Sequence, residues 1–200
     1  MKIVLTHGFN VRDKGKGSVD KLEPFLLDAF PDCTIDKDSA DYGWIGLFIA
    51  NWFWRFTKII DRIAEALKDA DIVITHSNGA HFCMRALAKI HNPNIKVIHY
   101  SPALNKKWKF EQAFERCLVF HTKKDWIVNI SKFIPFSAWG NMGKQGATTK
   151  DARVANIDCT EAIESHSGWF DDENISKIFE ITNEIINYSR FEFWKRGNSK

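Results

Sequence analysis

The segment Asp71-Ile-Val-Ile-Thr-His-Ser-Asn-Gly-Ala80 runs β-branched residues straight into a stretch of small ones, with Ser77 at the joint. A strand that turns sharply into a helix lifts the joint residue above the sheet edge, where backbones crowd and small neighbours are required. Gly79 meets that need on one side. On the other, Thr75 stands where the pattern G-x-S-x-G has its first Gly. Taken alone, the serine is as good a helix cap as a nucleophile. A serine hydroxyl attacks only when a base takes its proton and an acidic partner orients that base. Two residues stand where such partners are useful. Asp125 lies just past the apolar run Cys117-Leu-Val-Phe-His121, and His166 lies in a loop past the run Arg153 to Asp158. Asp151 and Asp158 are poorer acid candidates.

The elements that must position these groups alternate short β-branched runs with helical patterns, which is how a parallel α/β sheet reads in sequence. The strand candidates are Ile3–Thr6, Cys33–Asp38, Asp71–Thr75, Ile95–Tyr100, Cys117–His121 and Arg153–Asp158. A helix is expected between Ser18 and Phe30; Pro24 sits badly in a helix interior, which moves the start toward Leu22. Ile45, Phe48, Ile49, Trp52, Phe56, Ile60, Ile63 and Leu67 recur at three- and four-residue steps and predict a long amphipathic helix. Gly79 to Ile90, Glu111 to Arg116 and Asn174 to about Phe193 complete the helices. Trp126 to Lys150 is irregular, thinned by Pro135, Gly140, Gly143 and Gly146, and long loops of this kind are usually functional.

Composition limits the rest. Two hundred residues suit one domain. A hydrophobic share of 44% with 26% charged residues is that of a globular chain. The net charge of +3 is scattered apart from Lys195, Arg196 and Lys200, so no basic stripe argues for nucleic acid. The four cysteines form no CxxC pair and read as reduced thiols, and His76 and His81 stand five apart, the wrong helical step for a shared metal. No secretory signal or membrane-spanning run is evident, which gives a cytoplasmic expectation without stable membrane insertion. Neither metal nor organic cofactor is expected.

The chain order Ser77, Asp125, His166, with His7-Gly8-Phe9-Asn10 closing the first strand, resembles the α/β-hydrolase superfamily. The likeness runs from Lys2 to Trp194. It implies an α/β-hydrolase fold: a roughly six-stranded, mostly parallel sheet with helices on both faces, lacking the first two strands and a cap domain. That domain would span residues 1–195, leaving 196–200 as a flexible basic tail. The resemblance also implies the roles. Ser77 is the nucleophile, His166 the base and Asp125 its acid, and the N–H groups of Phe9 and Asn78 hold the oxyanion. His7, Asn10, His76, Trp126, Trp139 and Trp169 are expected to line the substrate pocket, and residues 126–150 to form a lid or wall. The implied substrate is a small-molecule acyl ester of short or medium chain. Thioesters or amides suit the same apparatus, and two non-catalytic readings stay open: a binding protein using the same pocket, and an interaction protein presenting the segment Trp44 to Phe56. Oligomeric state is not readable.

Overall fold

Runs of Val and Ile, branched at Cβ and stiff at χ1, favour extended backbone, and six of them form strands: β1 (Lys2–Thr6), β2 (Thr34–Asp36), β3 (Ile72–His76), β4 (Lys96–Tyr100), β5 (Arg116–His121) and β6 (Val154–Asp158). The computed structural model describes residues 1–8, 11, 13–41, 57–131 and 139–187. All five strand pairings are parallel, in the order β2-β1-β3-β4-β5-β6. The four central strands are buried almost end to end, as parallel strands covered on both faces must be. Only β6, at the edge, alternates buried with partly exposed positions.

Val4, Val73, Val97 and Val119 point into one layer, built with α2 (Thr57–Leu67) and α3 (Gly79–Leu87). Ile3, Leu5, Ile72, Ile74, Ile98 and Phe120 point into the other, with Leu26 of α1 (Glu23–Ala29) and Ile175, Ile178 and Phe179 of α6 (Asp172–Asn187). Pro24 occupies the first turn of α1, where its missing N–H costs nothing. The chain leaves β1 for β2 on one side and returns to β3 on the other. The order therefore reverses at the carboxyl ends of β1 and β3, the crevice where open α/β sheets build their sites. His7-Gly8 and Ser77 both emerge there.

Two expectations fail. Glu111 to Arg116 forms no helix. The cause is distant in sequence: Arg153 donates from Nη2 to the Phe110 carbonyl at 2.8 Å and from Nη1 to that of Gln112 at 3.1 Å. Its guanidinium also lies 4.2 Å from the centre of the Phe114 ring. Carbonyls turned toward one cation do not line up along a helix axis. Nor is Trp126 to Lys150 structureless. It contains α4 (Trp126–Ser131) and the short α5 (Met142–Gln145). Gly143 is there for closeness, since a Cβ on it would stand 2.6 Å from the Ser101 carbonyl carbon. Residues 132–138, much of the anticipated lid, lie outside the described residues. So do the Trp44 to Phe56 aromatic run, the expected helix beyond Asn187 and the basic tail.

Candidate active site

Between β3 and α3 only Ser77 and Asn78 intervene, so the backbone must reverse almost at once. Ser77 pays with φ 53°, in the left-handed region that a residue with a Cβ seldom enters. Its neighbours hold it there. The Ser77 N–H donates to the Tyr100 carbonyl at 3.0 Å, extending the β3–β4 ladder by one rung. The Ser77 carbonyl accepts from Ala80 at 3.2 Å and from Ala103 at 3.0 Å. Gly79 has no substitute, because a Cβ there would stand 2.5 Å from the His7 carbonyl oxygen and 2.6 Å from that of Thr6. Thr75, the departure from the usual glycine, has its hydroxyl 2.6 Å from Nδ1 of His99, its register partner on β4. A buried hydroxyl needs such a partner.

Asp125 follows β5 and is fully buried. Its Oδ1 accepts the Val128 N–H at 3.1 Å, capping α4, which leaves Oδ2 for another donor. That donor is His166, whose Nδ1 stands 2.7 Å away. The opposite edge of the same ring, Nε2, lies 2.8 Å from Ser77 Oγ. Three side chains separated by 48 and 41 residues thus form one line of contacts. The His166 loop is anchored by the turn Gly168–Phe170, where Trp169 donates from Nε1 to Ser101 Oγ at 2.8 Å. Trp169 has no exposed surface and packs against Tyr100 and Phe120. The pocket role expected of it gives way to that of a core anchor, because its only polar atom finds a buried partner.

No protein-family model matches the sequence, and neither does any curated protein sequence. Solved structures do match the fold. Esterase PE8 superposes with a TM-score of 0.55 at 17% identity, over 92% of this chain and 92% of its own. A protein from Xanthomonas campestris pv. campestris described as a hydrolase of the α/β superfamily superposes with a TM-score of 0.50 at 12% identity, over 92% and 97%. This chain has the α/β-hydrolase fold. That fold has a strand–turn–helix joint at this place, its elbow, and in this chain Ser77 stands at it.

The surroundings of the elbow distinguish the remaining residues. Asn78, directly after Ser77, heads α3, and its Oδ1 accepts the Nε1–H of Trp139 at 2.6 Å. Trp139 is therefore a wall of the elbow. Phe9 and Asn10 lie outside the described residues. His7 is buried, with Nδ1 at 2.8 Å from the Gly8 carbonyl and Nε2 at 2.8 Å from Asp41. Trp126 is 59% exposed, one residue from Asp125. Of the other carboxylates considered, Asp158 is engaged by Lys123 and Thr160, and Asp151 by Arg153. Neither is bonded to His166.

His76 donates from Nε2 to the main-chain carbonyl of His166 at 3.0 Å. Burial, helped by the neighbouring His166, pushes its pKa down to about 3, so the ring is neutral at physiological pH. Sequence reasoning reads this residue as pocket lining and misses the contact, because its partner is a backbone atom 90 residues away. His99 is likewise held neutral by burial, at about 3. Only the pairing of β3 with β4 reveals it as the partner of Thr75. Among the described residues no group of three His, Cys, Asp or Glu side chains could hold a metal ion, and no helix is long and apolar enough to cross a membrane.

Proposed function

We propose that this chain is a serine hydrolase that cleaves carboxylic esters through an acyl-enzyme on Ser77. The observation that carries the reading is the pair of contacts on one imidazole, Nε2 to Ser77 Oγ at 2.8 Å and Nδ1 to Asp125 Oδ2 at 2.7 Å. A carboxylate only accepts, so Asp125 requires the proton of neutral His166 on Nδ1. The lone pair on Nε2 then faces the serine hydroxyl, which is the arrangement a general base needs.

The reaction follows from that tautomer. His166 takes the Ser77 proton as Oγ attacks the ester carbonyl carbon. The C–O π bond opens to an oxyanion, held by the Asn78 N–H and by the positive end of α3. Collapse expels the alcohol, which leaves with the proton from His166. Water then repeats the sequence on the acyl-enzyme, releasing the acid and restoring Ser77. Asp125 holds the ring in place and stabilises the imidazolium.

Hydrolysis of a panel of chromogenic acyl esters by the wild type and by Ser77→Ala tests the reading. We expect Ser77→Ala to lose about 10³-fold or more in turnover with its fold intact. Activity within a few-fold of wild type removes Ser77 as the nucleophile.

A further inference from the structure

We propose that His76 is a positioning residue for the base: its Nε2–H grips the main-chain carbonyl of His166 and so sets where the His166 ring stands between Ser77 and Asp125. The proposal rests on the reading of Ser77 as nucleophile and His166 as base, and adds to it a group bonded to the main chain of the base.

A histidine ring hangs from its Cα by two torsions, so the backbone position of His166 decides where its two nitrogens can reach. The loop that carries it, between β6 and α6, has no ladder to hold it. The His76 ring supplies a fixed point at that residue itself, with a hydrogen bond of 3.0 Å to the carbonyl of His166. It is also wedged in place. Its centroid lies 4.9 Å from that of His166 and 5.1 Å from that of Phe170, which meets it edge-on at 86°. His76 is the last residue of β3 and directly precedes Ser77. One strand end therefore sets the nucleophile through the chain and the base through a side chain.

The contact fixes the chemistry of the ring. A carbonyl oxygen only accepts, so the proton sits on Nε2 and the lone pair on Nδ1. Nδ1 has no hydrogen-bond partner among the described residues and looks toward Gly8, where a Cβ would stand 2.8 Å from it. The titratable groups that face His76 are His166, Asp125 and His7. Burial keeps His76 uncharged at physiological pH. Neutrality matters, because a second cation 4.9 Å from the base would oppose the imidazolium formed during attack.

A phenyl ring fills the same space without donating, and a glutamine amide donates without being an imidazole. His76→Phe and His76→Gln therefore separate packing from the hydrogen bond. Each is compared with wild type and Ser77→Ala for ester turnover and for the rate of Ser77 modification by a fluorophosphonate. In His76→Phe we expect kcat and labelling rate to fall on the order of 10- to 100-fold, with KM essentially unchanged. His76→Gln should recover at least about tenfold of that loss. Wild-type rates in His76→Phe, or equal losses in the two variants, overturn the proposal. Failure of the underlying reading looks different: Ser77→Ala would then turn over ester as fast as wild type. Should His76→Phe not fold, nitrogen-15 imidazole spectra of the wild type decide. They should show His76 protonated on Nε2 and bare on Nδ1 between about pH 5 and pH 8. The opposite tautomer, or a titration in that range, overturns it.

Discussion

Asp125 and Val128 are joined by a hydrogen bond of 3.1 Å from the valine N–H to Oδ1, while Oδ2 of the same carboxylate lies 2.7 Å from His166. One buried side chain thus caps a helix and orients an imidazole. The two jobs separate by substitution. Asn still caps but cannot supply the negative charge, whereas Ala does neither. We expect both Asp125→Asn and Asp125→Ala to lose turnover by roughly 10³-fold or more. Asp125→Ala should unfold about 1 kcal/mol more easily than Asp125→Asn in urea, through loss of the cap. Equal stabilities would refute the cap, and a silent Asp125→Asn would refute the acid.

Thr75 and His99 form a second pair, across β3 and β4. Thr75→Val keeps the shape and removes the hydroxyl, leaving Nδ1 of a fully buried imidazole without that partner. The expected cost is about 1–3 kcal/mol in urea unfolding. Turnover per folded molecule should change little, since Ser77 is held through its own backbone. An unchanged midpoint would mean that the pair does not stabilise the fold.

Acid should weaken the protein well above the carboxylate range. Burial holds His76, His81 and His99 at about 3, against an ordinary value of 6.5. Their folded values are depressed, so the unfolded chain binds protons that the folded chain refuses. Stability is therefore whole above pH 6.5 and is lost as pH falls toward 3. Each ring contributes about 1 kcal/mol per pH unit in that window. Urea midpoints at pH 7, 6 and 5 should fall steadily; a flat series would contradict the buried neutral state of these rings.

These pairs also show what sequence can and cannot convey. The central strands announce themselves because they are buried on both faces and so read as unbroken Val and Ile runs. The elbow is legible because only a short residue list fits between β3 and α3. Asp125 and His166 are findable because each follows a strand end. What stays hidden depends on partners brought close by folding. Arg153 turns the Phe110–Phe114 carbonyls away from a helix, although nothing near Glu111 predicts it. Gly143 and its neighbours read as helix breakers, yet α5 forms because its glycine lets it press against Ser101. Asp125 reads as an acid but not as a cap, so α4 goes unseen. Trp169 looks like a pocket aromatic until Ser101 appears beside its indole N–H.

On the proposed reading, His166 and Asp125 make Ser77 a nucleophile. Mapping the site of covalent attachment after treatment with a fluorophosphonate tests this most directly. We expect one adduct, on the peptide containing Ser77, and none on Ser77→Ala. A wild-type protein that stays unlabelled, or an adduct on any other residue, would contradict it.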